Sequence, residues 1–284
     1  MRIATARHGD RIVFGPIDDH GIRDLSNIVD DQNALMALVH SAEGRAQVAG
    51  MAAAASSHPL DDVVLLPPVP SPRRIMCVGT NYADHVAESD RIQEAPPFPV
   101  IFTRFPSSLV GAGEAIERPS ASSSYDYEGE LAIVIGAVTR NVSRDDAIGA
   151  IAGYSCFMDG TLRDYQRHTS QFIPGKNFER SGAFGPWVVT ADEIDDPHAL
   201  ELTTRVNGEV MQHASTSQLI HDIARIIEYC SIFTTLEPGD VIATGTPGGV
   251  GYAKNPPVWL VPGSEVSVDI TGVGCLSNSV TDTF

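Results

Sequence analysis

Residues 125–136 have the sequence YDYEGELAIVIG, in which two acidic residues precede a run of apolar residues. The apolar run is typical of a buried strand, whose successive side chains point to opposite faces. Glu128 and Glu130 are two positions apart, so both carboxylates are expected on one face. Carboxylates this close repel each other unless one is protonated or a cation lies between them. A solvated strand end would explain them equally simply, but their continuation into a buried strand favours a cation site.

A third acid strengthens this prediction. Asp159 ends another predicted strand, GYSCFMD at residues 153–159, which carries no other charge. Taken alone, Asp159 is better explained as a turn or helix-capping residue. Together with Glu128 and Glu130 it completes a site of oxygen ligands, which suits Mg²⁺, Mn²⁺ or Ca²⁺ rather than zinc.

Polar side chains follow the third acid along the chain. Arg163 and Gln166 lie on one side of a helical turn if one forms there. A salt bridge to a nearby acid and a contact with substrate explain Arg163 equally well. Lys176 follows Pro-Gly in PGKNF, at residues 174–178. Most lysines are exposed, but Lys and Arg total 19 against 36 Asp and Glu, so a lysine in an uncharged turn near the acids suggests a role in the site.

Two further segments carry candidate groups. His85 and Glu88 are three positions apart in GTNYADHVAE, residues 79–88, and share a face if this segment is helical. A carboxylate can then orient the imidazole as a general base, although a surface His–Glu pair is the commoner arrangement. Thr246 lies in the glycine-rich segment ATGTPGGVG. Its hydroxyl, together with the backbone N–H groups of the segment, could bind a carboxylate. A plain turn between strands explains this second segment equally well.

The first part of the chain has its own pattern. Residues 2–15 alternate as in a hairpin, with a turn at residues 8–10, and residues 30–56 have helical spacing. Four prolines then interrupt LLPPVPSPRRI, residues 65–75, and favour an extended linker. We therefore predict a small N-terminal α/β domain at residues 1–68 and a main domain at residues 69–284.

The main domain is predicted to be rich in strands, which gives an α+β fold. Asn207-Gly208 between apolar runs is a strong hairpin signal, and residues 216–236 form the clearest long helix. Ser143 is a candidate cap for a short helix. Strands and helices do not alternate regularly, and no G-x-G-x-x-G motif follows a strand, so a doubly wound nucleotide-binding sheet is disfavoured.

Composition excludes several classes of partner. The formal net charge of −17 repels phosphate backbones and anionic lipids, so nucleic-acid or membrane binding is not expected. The four cysteines form no C-x-x-C pair and indicate reduced thiols. The N-terminus does not resemble a signal peptide, and no apolar run approaches the ~20 residues that span a bilayer. We expect a cytoplasmic protein.

Several segments, taken in order, resemble the fumarylacetoacetate hydrolase superfamily over roughly residues 73–284. They are GTNYADHVAE, YDYEGELAIVIG, GYSCFMDGTLRDYQ, PGKNF, GPWVVT, RVNGEVMQ and GDVIATGTPGGVG. Bacterial acylpyruvases and 2-hydroxyhepta-2,4-diene-1,7-dioate isomerases are the members it is most similar to. The resemblance implies a mixed β-roll fold and a homodimer. The sequence departs from the family pattern directly after Asp159, where Gly160-Thr161-Leu162 replaces the usual serine-alanine pair. In the family, this region influences substrate specificity.

The same resemblance implies functional roles for individual residues. It implies Mg²⁺ or Mn²⁺ held by Glu128, Glu130 and Asp159, with Lys176 beside the metal. It also implies that Gln166 and Thr246 contact substrate. The segment containing Asn81, Tyr82, His85 and Glu88 resembles a short lid whose His–Glu pair activates water. We accordingly count His85, Glu88 and Lys176 as predicted catalytic residues, and Tyr82, Arg163, Gln166 and Thr246 as predicted substrate-binding residues.

These inferences lead to a hydrolase hypothesis with open alternatives. The expected reaction is C–C bond hydrolysis of an acylpyruvate-like 2-oxo acid, such as fumarylpyruvate or maleylpyruvate, in the catabolism of aromatic compounds. Isomerisation of 2-hydroxy-diene-dioates, keto–enol isomerisation and decarboxylation of oxaloacetate require the same kind of site. A non-catalytic metal-binding scaffold is an alternative of another class, which the His85, Glu88 and Lys176 set disfavours.

Overall fold

The computed structural model describes residues 1–88 and 94–283. The helices in these ranges are α1 (Gln32–Val39), α2 (Ala42–Ala54), α3 (Ala83–Ala87), α4 (Arg144–Ala147), α5 (Arg163–Gln166), α6 (Ile173–Lys176) and α7 (Ile223–Phe233). The strands are β1 (Arg2–His8), β2 (Arg11–Asp18), β3 (Gly21–Arg23), β4 (Ser57–His58), β5 (Val64–Leu66), β6 (Ile75–Gly79), β7 (Val100–Thr103), β8 (Leu109–Val110), β9 (Ile116–Arg118), β10 (Tyr125–Asp126), β11 (Gly129–Ile135), β12 (Ile151–Met158), β13 (Thr161–Leu162), β14 (Gly182–Thr190), β15 (Glu201–Val206), β16 (Glu209–Ser215), β17 (Val241–Ala243), β18 (Glu265–Ile270) and β19 (Gly274–Asp282).

A twelve-stranded mixed sheet forms the body of the protein. Its order is β4-β3-β2-β1-β14-β12-β11-β17-β6-β7, with β5 paired to β1 and β8 paired to β14. The central strands β11 and β12 are buried along their whole length, which agrees with their continuous apolar sequences. A five-stranded sheet of order β16-β15-β18-β19-β9 packs against this centre. The predicted strand-rich α+β fold is confirmed.

The two sheets approach closely at Gly129, the residue between the two glutamates. A Cβ atom at this position would lie 2.0 Å from the Thr204 hydroxyl on β15. The Gly129 N–H also donates to the side-chain oxygen of Gln212 on β16 at 2.9 Å. A residue without a Cβ atom is therefore required at Gly129, where the five-stranded sheet contacts the segment between the two glutamates.

The pairing of strands brings several chain segments to one edge of the large sheet. β11 is antiparallel to both β12 and β17, and β6 is parallel to β17. The start of β11 therefore lies beside the ends of β12, β17 and β6. The predicted acids, the glycine-rich loop and the helix carrying His85 follow or precede these strand ends, so the topology brings them together.

Local predictions are confirmed at several elements. The hairpin predicted for residues 2–15 is formed by β1 and β2 and extends to Asp18, and Asn207-Gly208 connects β15 to β16. Ser143 caps α4, its hydroxyl accepting the Asp146 N–H. Residues 30–56, predicted to be helical, contain the two helices α1 and α2, and Ser41 starts α2 as an N-terminal cap. The division at residue 68 stays a prediction; β1 pairs with β14, so strands from both sides of it share one sheet.

The predicted helix at residues 216–236 is wrong in its first third, since α7 begins only at Ile223. Asn81 explains the difference. Its side-chain oxygen accepts the His221 N–H at 2.8 Å, and its backbone oxygen accepts the Ile220 N–H at 2.8 Å. These bonds hold Ile220 and His221 outside the helix, the residues Thr216–Gln218 form a separate 3-10 helix, and Asp222 caps the shorter α7. Within the described residues, no helix combines the length and apolar character needed to cross a membrane.

Candidate metal centre and active site

The three predicted acids converge at the edge of the large sheet. β11 pairs with β12 so that Gly129 faces Met158, and the ladder continues with the Asp159 N–H donating to the Glu128 backbone oxygen at 2.8 Å. Asp159 is thus placed directly across from Glu128. One carboxylate oxygen from each of Glu128, Glu130 and Asp159 lies within 4.8 Å of the other two, and all three residues are buried.

Basic side chains neutralise two of the three acids. The Lys176 ammonium donates to Glu128 Oε2 at 2.6 Å and to Asp159 Oδ2 at 2.7 Å. Arg163 lies 2.6 Å from Glu128 Oε1, and Arg104 donates to Asp159 Oδ1 at 2.5 Å. Although burial acts to raise it, Lys176 and Arg163 lower the pKa of Glu128 to about 2. Glu128 and Asp159 therefore each have two cationic partners.

Glu130 is the one of the three acids that forms no ion pair with these cations. Its described hydrogen bond is from the Gly245 N–H to Oε2 at 2.8 Å. Burial, followed by repulsion from Asp159 and Glu128, raises the pKa of Glu130 well above its usual value. A divalent cation among the three carboxylates would remove this repulsion, and an all-oxygen set suits Mg²⁺ or Mn²⁺. The residues present thus fit the predicted ion.

The glycine-rich loop after β17 runs beside the acids. Thr246 donates its hydroxyl hydrogen to the Gly129 backbone oxygen at 2.9 Å and accepts a hydrogen bond from the Gln212 amide at 2.8 Å. Both bonds fix Thr246 against the residue between the glutamates. Thr246 lines the same cavity as Glu128 and Glu130, and its contact with substrate stays a prediction.

The predicted His–Glu pair lies on the short helix α3 and its C-terminal cap. His85 Nδ1 is 3.5 Å from Glu88 Oε2, and the other oxygen of Glu88 accepts the Gly249 N–H at 2.7 Å. Thr80, between β6 and α3, has a φ of +53°, a conformation that non-glycine residues adopt rarely and mostly at functional sites. The adjacent Asn81 ties this junction to the Thr244 carbonyl at 2.8 Å.

A cavity of about 140 Å³ connects these groups. Its lining includes seven of the predicted site residues: His85, Glu128, Glu130, Arg163, Gln166, Lys176 and Thr246. Asp159 lies fully buried behind this surface, and Glu88 lies beside His85. The aromatic rings of Phe102, Phe172 and Tyr252 complete the wall.

Tyr82 does not line this cavity, although the sequence predicted that it binds substrate. Its side chain is fully buried, and its hydroxyl has no hydrogen-bond partner among the described residues. An isolated antiparallel bridge joins Tyr82 to Leu219, and the Tyr82 side chain belongs to the hydrophobic core. The predicted substrate contact of Tyr82 therefore finds no support in the lining of this cavity.

Sequence reasoning missed several residues that hold the site together. Arg104 is a buried arginine in the otherwise uncharged IFTRF, and that isolated charge was the available signal. Asp126, inside the motif first quoted, accepts hydrogen bonds from Arg163 Nε at 2.7 Å and from the Gly251 and Tyr252 N–H groups at 2.7 and 3.1 Å. Gln212 has no local signal, because its partners are distant in sequence.

Replacing Arg104 by methionine should strongly destabilise the protein. Arg104 donates to Asp159, to the Gly160 carbonyl and to two serines, so its loss leaves a buried carboxylate with one cationic partner fewer. Breaking a buried ion pair costs about 3–5 kcal/mol, measurable by urea unfolding of the metal-free protein. Arg118→Met, which breaks a partly exposed pair with Asp282, is the control, with an expected cost of ~1 kcal/mol or less. Equal stability of the two variants would contradict the role of Arg104.

Comparisons with known proteins agree with this geometry. A family model described as Fumarylacetoacetate (FAA) hydrolase C-terminal matches residues 74–281. The mitochondrial oxaloacetate tautomerase fahd2 of Xenopus laevis is 39% identical over 242 residues, which cover 84% of this chain and 75% of that protein. Two of the similar solved structures align with this chain over 100% of its length and over 100% of their own length. They are fumarylacetoacetate hydrolase from Exiguobacterium antarcticum (38% identity, TM-score 0.84) and maleylpyruvate hydrolase from Sphingobium sp. SYK-6 in complex with manganese(II) and pyruvate (29% identity, TM-score 0.82).

Proposed function

Because the chain belongs to the fumarylacetoacetate hydrolase family, we propose that it is a metal-dependent tautomerase of oxaloacetate or a closely related small 2-oxo dicarboxylic acid. The position of His85 carries this proposal. His85 lines the same small cavity as Glu128 and Glu130, so a group able to move a proton lies at the site where a 2-oxo acid would bind. Tautomerisation requires proton transfer alone. The sequence identity to a curated oxaloacetate tautomerase supports tautomerisation over the C–C hydrolysis expected from the sequence.

The acids and their neighbours define how substrate would be held. When bound by Glu128, Glu130 and Asp159, a divalent cation would polarise the 2-oxo and carboxylate oxygens of the substrate. Lys176 uses two ammonium hydrogens for Glu128 and Asp159, which leaves the third to donate towards the cavity. Gln166 Oε1 accepts a hydrogen bond from Arg163 Nη1 at 3.0 Å, so the Gln166 amide hydrogens can be donated to substrate oxygens.

Proton transfer is assigned to His85 and Glu88. Nδ1 of His85 faces Glu88, so Nε2 is the ring nitrogen left to exchange a proton with substrate. In the enol-to-keto direction, a proton leaves the 2-hydroxyl oxygen and a proton is added at C3. His85 carries the proton at Nε2, and Glu88 stabilises the charged ring. Glu88 is itself fixed by the Gly249 N–H, which keeps the carboxylate beside the imidazole.

An oxaloacetate assay tests the proposal. With Mg²⁺ or Mn²⁺, we expect the protein to accelerate loss of the ultraviolet absorbance of enol-oxaloacetate, with kcat/KM of about 10⁴ M⁻¹ s⁻¹ or higher. Treatment with EDTA should reduce this rate at least about 100-fold, and added Mg²⁺ should restore it. Ketonisation no faster with the metal-loaded protein than in buffer containing the same metal would refute the tautomerase assignment.

Hydrolysis of an acylpyruvate is the second candidate. It is favoured by the similarity to a maleylpyruvate hydrolase whose structure contains manganese and pyruvate. A histidine oriented by a carboxylate can also activate water. Incubation with maleylpyruvate, fumarylpyruvate and oxaloacetate, followed by product identification, separates the reactions. Pyruvate with a second acid indicates hydrolysis, pyruvate with CO₂ indicates decarboxylation, and an isomer of unchanged mass indicates tautomerisation. Absence of every product would favour the scaffold alternative.

A homodimer is proposed for the assembly, as the family resemblance implies. Ile232 and Phe233 at the end of α7 are more than half exposed, which supports a contact surface on this part of the molecule. Light scattering should give twice the chain mass of 30.3 kDa, and a mass of one chain would contradict the proposal. A cytoplasmic location and the lack of nucleic-acid or membrane partners stay predictions from the sequence.

A further inference from the structure

Three basic side chains line the cavity, and one of them differs from the others. Arg163 is paired with Asp126 and Glu128, and Lys176 with Glu128 and Asp159. Their positive charges are therefore compensated by the protein itself. Arg167 also lines the cavity, but no carboxylate of residues 1–88 or 94–283 forms an ion pair with it. As far as residues 1–88 and 94–283 are concerned, its charge has no acidic partner, which favours a bound anion in that role.

Arg167 is held at the cavity wall by its surroundings. It directly follows α5, and its backbone N–H donates to the Asp164 carbonyl at 3.1 Å. Its guanidinium carbon lies 5.0 Å from the centroid of the Tyr252 ring, and Arg163 lies over the same ring at 4.6 Å. The backbone of Tyr252 is in turn fixed by Asp126. Tyr252 thus contacts two neighbouring arginines, one paired with carboxylates and one with no such partner among the described residues.

We propose that Arg167 binds a second carboxylate of the substrate, the one farther from the three acids. This inference rests on the proposed function, because it takes the 2-oxo acid end of the substrate to lie at Glu128, Glu130 and Asp159. A guanidinium group matches a carboxylate through two parallel hydrogen bonds. In a protein of net charge −17, a substrate with two negative charges also needs local positive charge to enter. The site therefore selects dicarboxylates over monocarboxylates.

Ligand binding tests this selectivity separately from turnover. Malate and lactate share a 2-hydroxy carboxylate end, and malate alone has a second carboxylate. Calorimetric titration of the Mg²⁺-loaded protein with each compound compares Arg167→Met and Arg167→Lys with the unchanged protein. Arg2→Met is the matched control, since Arg2 lies over Trp187 at the same 5.0 Å but outside this cavity. Both Arg→Met changes remove one positive charge and one cation–π contact.

We expect Arg167→Met to weaken malate binding about 10- to 100-fold and to change lactate binding less than about 2-fold. Arg167→Lys should retain part of the preference for malate, and Arg2→Met all of it. In the oxaloacetate assay, Arg167→Met should raise KM with little change in kcat. Unchanged malate binding, equal losses for malate and lactate, or no preference for malate in the unchanged protein would each overturn the inference. A malate preference that depends on Arg167, without oxaloacetate turnover, supports the subsite and refutes the tautomerase assignment alone.

Discussion

Replacement of Glu130 by glutamine is expected to abolish metal-dependent activity while stabilising the metal-free protein. Glu130 has no cationic partner among the described residues, and its carboxylate is repelled by Asp159 and Glu128. A neutral amide removes this repulsion and can still accept the Gly245 N–H. We expect a gain of roughly 1 kcal/mol without metal, or about 2–4 °C in Tm. With one oxygen ligand weakened, activity should fall at least about 1,000-fold.

Thermal unfolding with and without Mg²⁺, together with calorimetric titration of Mg²⁺, measures both effects. Asp159→Asn provides the contrast: it removes the carboxylate that pairs with both Arg104 and Lys176 and leaves Arg104 with no ionic partner among the described residues, so it should lower the metal-free Tm as well as activity. Glu209→Gln, an exposed change at the start of β16, is the neutral control. If Glu130→Gln keeps the Mg²⁺-induced rise in Tm of the unchanged protein, Glu130 is not a metal ligand.

Replacement of His85 by alanine is expected to reduce turnover about 100- to 10,000-fold, the range lost with a general acid–base group. Mg²⁺ affinity should remain within about 3-fold, because the three acids lie in β11 (Glu130), directly before it (Glu128) or directly after β12 (Asp159), and not in α3. Glu88→Gln should cost less, about 10-fold, since it removes the charge that orients and stabilises the imidazole while leaving the ring in place.

The rate of oxaloacetate ketonisation and the Mg²⁺ titration are measured on each variant. His213→Ala, on the exposed side of β16, provides a histidine substitution away from the cavity and should leave both quantities unchanged. Full turnover by His85→Ala would show that another group moves the proton. Loss of Mg²⁺ binding in the same variant would show that His85 supports the metal site instead.

The sequence predicted those parts of the site that depend on local spacing. The two-residue period places Glu128 and Glu130 on one face, and the three-residue spacing of His85 and Glu88 places them on one side of α3. Asp159 could be proposed from its position at a strand end. Its pairing opposite Glu128 depends on the register between β11 and β12, which local periodicity does not specify.

Residues whose partners are distant in the chain were the ones missed or misplaced. Arg104 reaches Asp159 across 55 positions, and Gln212 reaches Thr246 across 34. The helix at residues 216–236 was predicted too long because the apolar residues of this segment have helical spacing. In the structure, Asn81 forms hydrogen bonds with the backbone of residues 220 and 221, about 140 positions away in the chain. Tertiary hydrogen bonds here override a local preference, and sequence spacing contains no information about them.

The three acids lie at one end of the ladder between β11 and β12, while His85, the proposed proton-transfer group, lies on the five-residue helix α3, shortly after Thr80. The two parts are therefore separable in evolution and in design. If the proposed roles hold, we expect substitutions within α3 to alter the reaction without disturbing the sheet that holds the three acids. A family sharing one framework could diversify its chemistry in this way, and grafting alternative α3 segments onto this chain is a direct route to new activities.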